Sequence, residues 1–175
     1  MNRSNLQLTA QGAGFIAAWE GYRAAAYNDS DVPPNATIGI GHKLHDGPVT
    51  AADRKLSWSY PQAVAQLQKD VETNALAALR ESLQVDLTPA QVAALCSLGI
   101  NCGPGSLAAG HVVMAAVNSK PRRWNVLRMR AWHSRVRAAI LEWAHPEVLR
   151  RRRLSEAWLF STGRFRRPLN PYANS

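Results

Sequence analysis

The sequence has no apolar run that approaches the ~18 residues needed to span a membrane. Its first residues, MNRSNLQLTAQGAGFIAAWEGYR, also lack the basic stretch, long apolar segment and small-residue cleavage site of a secretory signal peptide. We therefore expect neither a signal peptide nor a transmembrane segment. With 175 residues, 46% of them hydrophobic, the chain can bury a sizeable core, which excludes a disordered protein.

Cysteine is scarce, because only Cys96 and Cys102 are present. If both lie on one helix, their spacing turns them about 240° apart, so they cannot form a disulfide within it. No further cysteine or histidine lies at a spacing suited to zinc. We expect reduced, partly buried thiols and no metal site.

Acidic residues become scarce after residue 119. Residues 120–175 carry 14 Lys and Arg against 3 Asp and Glu, whereas residues 1–119 carry 7 against 9. Such a basic C-terminal part favours a polyanionic partner, which could be nucleic acid, anionic lipid or an anionic cell-wall polymer. The charge alone does not choose among them.

Capping and turn signals predict an α+β fold that is mostly helical. Thr9 is placed to cap a helix from Ala10 to about Ala25, and Glu20 lies near the end of that helix. A negative charge there is disfavoured by the helix dipole, so another group should stabilise it. Turn residues and β-branched residues between 25 and 43 predict a small sheet.

The remaining helices follow from similar signals. Ser59 and Thr88 are each followed by a proline and then, three residues after the cap, by glutamine, which is typical of helix starts. The first of these helices should run to about Leu83 and the second to Gly103. Further helices are expected at roughly 106–117, 122–144 and 147–161. Tryptophans at helical spacing with other apolar residues should pack in the core: Trp19, Trp124, Trp132, Trp143 and Trp158.

One glutamate and two aspartates lie around the turn in WEGYRAAAYNDSDVPPNATIGIGHK, residues 19–43. Hydrolysis of a glycosidic bond needs an acid for the leaving oxygen and a carboxylate that activates water or stabilises the sugar cation. Glu20 on an apolar helix end and Asp29 in a polar turn suit these two environments. Thr37 on the returning strand could hold a water molecule. By spacing alone, ordinary solvating charges on a hairpin are the alternative.

Motifs along the chain resemble those of the phage-type lysozymes, the endolysins of glycoside hydrolase family 24. The catalytic segment of that family is similar to EGYR at 20–23, YND at 27–29 and TIGIGH at 37–42. INCG at 100–103 resembles the end of the family's central helix, and RRRRLSEAWLF at 150–160 its C-terminal arginine-rich helix. The likeness spans most of the chain and is weak from about 118 to 146.

The resemblance implies a lysozyme-like, two-lobed fold and an inverting muramidase. Such an enzyme hydrolyses the β-1,4 bond between N-acetylmuramic acid and N-acetylglucosamine in peptidoglycan, without a metal or organic cofactor. Glu20 would be the general acid, while Asp29 and Thr37 would position and activate water. The gap between Asp29 and Thr37 is longer than in the family, which makes Asp31 a rival for the second carboxylate.

The resemblance also assigns residues outside the opening segment. His42 should pair with Asp70 as a structural contact. One arginine of the run 150–153 should reach Glu20, and Arg152 is the one we expect. The others should form a solvated face or contact anionic polymer.

Asn101 at the end of the central helix has two interpretations. It either binds acetamido groups of the sugar or caps its own helix.

One domain over 1–175 is expected, with the lobes joined at roughly 59–84 and a basic helical lobe at 88–175.

Two other function classes bear on the basic lobe. The segment 122–144 is basic, contains tryptophan and resembles interfacial helices, so disruption of membranes could accompany lysis. A nucleic-acid binder lacks any recognisable motif here and leaves TIGIGH unexplained. We expect a monomer that stays in the host cytoplasm until a separate pore-forming protein releases it to the wall.

Overall fold

The computed structural model describes residues 6–29 and 32–165, and within them the chain is mostly helical with one small antiparallel sheet. This confirms the predicted α+β class. The helices are α1 (Ala10–Glu20), α2 (Tyr60–Val71), α3 (Ala77–Ser82), α4 (Pro89–Cys102), α5 (Val112–Asn118), α6 (Val126–Leu141) and α7 (Arg150–Thr162). The strands are β1 (Arg23–Asn28), β2 (Asn35–Gly39) and β3 (His42–Asp46). In the described part of the chain, no helix is long and apolar enough to cross a membrane.

Helix α1 begins as predicted but ends earlier, at Glu20 rather than at about Ala25. The hydroxyl of Thr9 accepts a hydrogen bond from Gly12 N at 3.1 Å and caps the first turn. Gly21 stops the helix, because its φ of 76° lies in the left-handed region that side chains disfavour. The next residues join the sheet, so Glu20 is left where helix and sheet meet.

The sheet has the order β1-β2-β3, with β2 in the middle. Tyr27 of β1 lies opposite Thr37 of β2, and Thr37 is 4% exposed. Gly39 and Gly41 form the tight turn to β3, each with a φ of 68°. A Cβ at Gly39 would lie 2.8 Å from Trp58 Cε3, so the chain can make this turn only with glycine there.

The connecting helix starts at a capping box, as the sequence predicts. Ser59 N donates to Gln62 Oε1 at 2.8 Å, and Gln62 N donates back to Ser59 Oγ. The helical run reaches Ser82, close to the predicted end, but a π-helical turn at Glu72–Leu76 divides it into α2 and α3. Asn74 Nδ2 donates to the carbonyl of Asp70 in this turn, which competes with the regular backbone ladder.

Helix α4 is the centre of the molecule. Thr88 and Gln91 form the second predicted capping box. Every residue from 90 to 99 is buried, because α4 packs against both α1 and α7. Gly99 permits a close approach, since a Cβ there would lie 2.6 Å from Leu107 Cδ1.

Both cysteines are free thiols, as expected. Cys96 is buried in α4 and Cys102 is half-buried at its end. Burial raises the pKa of both thiols, so neither is activated as a nucleophile.

Among the C-terminal helices, α6 packs against both α5 and α7. Trp132 and Phe160 are almost fully buried with ring centroids 5.4 Å apart, and Trp132 Nε1 donates to Val117 O at 3.0 Å. Trp124 does not join this core, because 79% of it is exposed. The prediction for Trp124 is wrong because α6 begins only after Asn125, so helical spacing does not apply before it.

Candidate active site

Glu20 is the last residue of α1, and its side chain is 20% exposed. The helix dipole disfavours a negative charge at this end. Arg152 of α7 supplies the compensating charge, because its Nη2 donates to Glu20 Oε1 at 2.7 Å. The structure thus brings Glu20 together with the arginine that the sequence singles out.

Arg152 is itself buried and makes three other contacts. Its Nη2 donates to Ser97 O at 3.0 Å and to Ser97 Oγ at 3.3 Å, and its Nε donates to Glu156 Oε1 at 3.2 Å. The same Ser97 hydroxyl donates to Glu156 Oε1 at 2.6 Å. Burial acts to lower the pKa of Arg152, but Glu20 and Glu156 outweigh it and raise that pKa. The guanidinium is therefore a fixed cation beside Glu20.

Arg153 departs from the sequence-based prediction. The run of arginines predicts a solvated face for it, yet Arg153 is 0% exposed. Its Nη1 donates to Glu156 Oε2 at 2.6 Å, and its Nη2 donates to Asn101 Oδ1. Arg150 and Arg151 are exposed, as predicted for the rest of the run. The prediction fails for Arg153 because Glu156, three residues later, provides a buried partner.

Asp29 lies at the end of β1 and closes the loop that follows. Its Oδ1 accepts from Asn35 N at 2.8 Å, and its Oδ2 accepts from Asn35 Nδ2 at 3.0 Å. These two bonds fix the orientation of the carboxylate. The rival Asp31 lies outside the described residues.

Tyr27 is a neighbour of both carboxylates that the sequence reasoning did not single out. Burial raises the pKa of its phenol, Arg23 opposes the rise, and the charges of Glu20 and Asp29 add to it. The Arg23 guanidinium lies 4.5 Å from the centre of the Tyr27 ring. Tyr27 is therefore within electrostatic range of both Glu20 and Asp29.

A cleft of about 360 Å³ opens beside Glu20. Residues from the sheet, α2, the π-helical turn and α4 line it: Ile40, Gly41, His42, Lys43, Leu67, Asp70, Asn74 and Ile100. Gly41 lies so close to the acid that an added Cβ would be 3.5 Å from Glu20 Oε2. The TIGIGH turn therefore forms one wall of the space in front of Glu20.

His42 and Asp70 face each other at the edge of this cleft. His42 Nδ1 lies 2.9 Å from Asp70 Oδ2, and Asp70 Oδ1 accepts from Gln66 Nε2 at 2.9 Å. The His42 ring also stacks on Trp58, with centroids 5.4 Å apart. These contacts join β3 to α2.

A model of the phage lysozyme family matches residues 17–156 of this sequence. The chain belongs to the phage lysozyme family. It is therefore a glycoside hydrolase of the lysozyme type, an endolysin whose substrate is bacterial peptidoglycan. A comparison with curated protein sequences gives no significant match.

Solved structures of similar lysozymes share the fold. A variant of phage P22 lysozyme is 27% identical, with 89% of this chain and 98% of that one covered and a TM-score of 0.68. The endolysin of Escherichia coli O157:H7 phage FAHEc1 is 23% identical over 93% and 98%, with a TM-score of 0.73. The muramidase domain of SpmX from Asticaccaulis excentricus is 23% identical over 89% and 98%, with a TM-score of 0.67. At 23% identity the last two show the fold alone.

Asn101 lies on the surface of this lysozyme at the end of α4. Its oxygen accepts from Arg153, a contact that neither sequence-based interpretation included. Because a guanidinium only donates, the amide oxygen must point towards Arg153 and Nδ2 must point away. Asn101 is thereby oriented with a donor group turned from the core.

Glu156 and Ser97 are the residues of this network that sequence reasoning missed. The signal for Glu156 is present, since it follows Arg152 by four and Arg153 by three residues, the spacings that share a helix face. Ser97 gives no such signal, because a serine in an apolar helix is common and its partners are distant in sequence.

Proposed function

We propose that this lysozyme cleaves the β-1,4 bond between N-acetylmuramic acid and N-acetylglucosamine with Glu20 as the general acid. The observation that carries the proposal is the position of Glu20, which lies in the wall of the cleft and is fixed by Arg152 at 2.7 Å. A general acid must be held within reach of the leaving oxygen while substrate binds. The contact with Arg152 supports that role, because it fixes a carboxylate that would otherwise rotate at a helix end.

Asp29 and Thr37 position and activate the attacking water in this proposal. Asn35 orients both oxygens of Asp29, and Thr37 lies on the neighbouring strand, opposite Tyr27. Attack from the face opposite Glu20 inverts the anomeric centre, and such enzymes hold their carboxyl groups roughly 6.5–9.5 Å apart. Nuclear magnetic resonance of the first product formed should therefore show the α-anomer.

Replacement of Glu20 by glutamine tests the acid. The variant keeps the shape of the side chain but cannot transfer a proton, so lysis of chloroform-treated Gram-negative cells should fall by about 10²–10⁴-fold. Glu142→Gln removes an exposed carboxylate from the end of α6 and should leave the rate unchanged. Full activity in Glu20→Gln would refute the proposed mechanism. Reducing-end analysis of the digested muropeptides identifies the bond that is cleaved.

The second carboxylate is decided by Asp29→Asn and Asp31→Asn measured side by side. We expect the Asp29 variant to be inactive, because Asp29 has the spacing from Glu20 and the YND context of the family pattern. Asp31→Asn should retain most of the activity. The reverse result would transfer the role to Asp31.

Binding to anionic membranes or wall polymers is a second candidate activity, supported by an exposed patch before and within the start of α6. Trp124 is 79% exposed and Leu127 is 73% exposed. Four exposed arginines lie within three residues of one or the other in sequence: Arg122, Arg123, Arg128 and Arg130. Exposed apolar side chains within a cationic surface suit the interface of an anionic bilayer. The buried face of α6 does not contribute, because Trp132 and Val136 pack inside the protein.

Vesicle leakage and killing separate this activity from hydrolysis. In the Glu20→Gln background, leakage of phosphatidylglycerol vesicles should persist and should fall when Trp124 and Leu127 are both replaced by serine. Tyr60→Ser is the matched control, because Tyr60 is also exposed, at 49%, but lies at the start of α2. Equal leakage with Glu20→Gln, with the variant that lacks Trp124 and Leu127 and with the Tyr60→Ser control would show that the exposed patch does not disrupt membranes.

The route to the wall stays a prediction of the sequence. A monomer retained in the host cytoplasm until a separate pore-forming protein acts should lyse cells only when such a partner is present. Fractionation of intact cells that express this chain alone tests it. Enzyme found in the periplasm of those cells would contradict the predicted route.

A further inference from the structure

Glu156 is a buried carboxylate that the proposed mechanism does not use. It is 0% exposed on α7 and accepts three hydrogen bonds: from Arg152 Nε at 3.2 Å, Ser97 Oγ at 2.6 Å and Arg153 Nη1 at 2.6 Å. Its neighbours on α7 that face inward, Ala157 and Phe160, are apolar. Burial of a carboxylate and two guanidiniums costs more than an apolar core of the same volume would. The position of this cluster behind Glu20 therefore needs an explanation other than packing.

The cluster reaches the surface in two places. Arg152 contacts Glu156 through Nε and Glu20 through Nη2. Arg153 contacts Glu156 through Nη1 and Asn101 through Nη2. Among the residues that the structure describes, Glu156 is the single carboxylate that both guanidiniums contact. Arg153 Nε is buried without a hydrogen-bond partner among the described residues, so Glu156 and Asn101 alone hold its head group.

Charge balance gives Glu156 a second effect. Arg152 and Arg153 together carry two positive charges behind Glu20. Burial raises the pKa of Glu156, but Arg153 and Arg152 oppose that rise and donate directly to its oxygens, so we assign Glu156 one negative charge between them. Without that negative charge, the field of two cations would favour the ionised form of Glu20. A general acid must keep its proton at the working pH, so an excess of positive charge would oppose its function.

We infer that Glu156 is a positioning residue: it fixes Arg152 against Glu20 and Arg153 against Asn101, and its negative charge offsets one of the two positive charges behind the general acid. This inference rests on the proposed role of Glu20 as the general acid. Glu156 acts through the two arginines and makes no contact with substrate. Other titratable or charged groups face Glu20 or the cleft beside it, and they are unchanged in every variant of the test: Tyr27 of β1, His42 and Lys43 of β3 and Asp70 of α2.

The pH profile of kcat/KM tests this inference with Glu156→Gln. The alkaline limb of the profile reports loss of the proton from the general acid. Glutamine keeps the shape and removes the negative charge, so the limb should move to lower pH. A purely structural role would lower the rate equally at every pH and leave the limb in place.

Variants of the partners give the matched controls. Arg153→Met removes one cation and should move the limb in the opposite direction, to higher pH. The double variant Glu156→Gln/Arg153→Met restores the charge balance and should return the limb close to its original position. Ser97→Ala removes a hydrogen bond to Glu156 without changing its charge, and it should leave the limb unmoved.

Three results decide the matter. Opposite shifts in the two single variants, with recovery in the double variant, support the inference. A limb that stays fixed in folded Glu156→Gln, checked by near-ultraviolet circular dichroism, overturns it. If Glu156→Gln does not fold, the profile of Arg153→Met decides, and an unshifted limb there overturns the inference. Activity that survives Glu20→Gln would instead refute the proposed function, and this outcome is separate from all of these.

Discussion

Arg152 Nη2 donates to Glu20 Oε1 at 2.7 Å, and this contact joins the end of α1 to the first turn of α7 across 132 residues. It stabilises a charge that the helix dipole of α1 disfavours. The same guanidinium is tied to Ser97 and Glu156. The buried guanidinium of Arg152 therefore connects the end of α1, the central helix α4 and the C-terminal helix α7.

Replacement of Arg152 by methionine should be strongly destabilising. It leaves the fully buried Glu156 with one cation fewer, and removal of one partner from a buried ion pair costs about 3–5 kcal/mol of unfolding free energy. Arg151→Met is the matched control in the same helical turn, because Arg151 is exposed, and its effect should stay within about 0.5 kcal/mol. Urea titrations of both variants measure the difference. Similar midpoints would show that the buried ion pairs do not stabilise the fold.

Two glycines of α1 should respond to alanine in opposite directions. A Cβ at Gly12 would lie 2.7 Å from Leu8 Cδ1 and 2.9 Å from Ala93 Cβ of α4, so Gly12→Ala should cost about 1–3 kcal/mol. At Gly14 nothing lies within 4 Å, and alanine there should stabilise the protein by up to about 1 kcal/mol through helix propensity. Thermal unfolding of both variants is the measurement. If Gly12→Ala raises the melting temperature as Gly14→Ala does, α1 and α4 do not approach each other closely at Gly12.

The sequence predicts element starts better than element ends. The caps at Thr9, Ser59 and Thr88 are local hydrogen-bonding patterns, and all three are confirmed. The end of α1 was predicted too late, because apolar spacing continues past Gly21 and only the backbone conformation there stops the helix. The π-helical turn at Glu72–Leu76 likewise has no simple sequence signal.

Some residues of the candidate site can be predicted from the sequence and others cannot. The motif around Glu20 is contiguous, so resemblance could propose its residues, and Arg152 could be singled out although it lies far along the chain. Burial of Arg153 could not be inferred from a run of four arginines, because it depends on Glu156, Asn101 and the face that α7 turns to α4. Long-range contacts of this kind emerge only when the helices are packed.

The contact between His42 and Asp70 should be structural. The side chains of His42 and Asp70 are 26% and 24% exposed, and their nearest polar atoms are 2.9 Å apart. A double-mutant cycle with His42→Ala and Asp70→Ala should therefore give a coupling free energy of about 1 kcal/mol. The pair of Lys43 and Asp46 is the control, because Asp46 is 91% exposed and its coupling should be near zero. Urea unfolding measures both cycles. Coupling no larger than that of the exposed pair would show that His42 and Asp70 do not stabilise the contact of β3 with α2.

Acid should destabilise the protein partly through Asp53, which ties the loop after β3 to the sheet. Its Oδ2 accepts from Thr50 Oγ1 at 2.6 Å and Thr50 N at 2.7 Å, and it lies 2.9 Å from His45 Nε2. The Thr50 bonds and then His45 lower the pKa of Asp53 from 3.8 to about 2. Because the folded state binds this proton more weakly than the unfolded state, Asp53 contributes stability above about pH 4. That contribution should disappear as the pH falls from about 4 to about 2.

Asp53→Asn tests this window, since the variant has no proton to bind at that position. The difference in unfolding free energy between the original protein and the variant should shrink as the pH falls from about 4 to about 2. It should be constant from about pH 4 up to the range in which His45 loses its proton, because the Asp46 carbonyl and Asp53 together raise the pKa of His45. Thr50→Val removes the hydroxyl that lowers the Asp53 pKa most, so it should raise the pH at which the loss occurs. Urea titrations at each pH provide the measurement. A constant difference down to pH 2 would show that Asp53 keeps an ordinary carboxyl pKa in the folded protein.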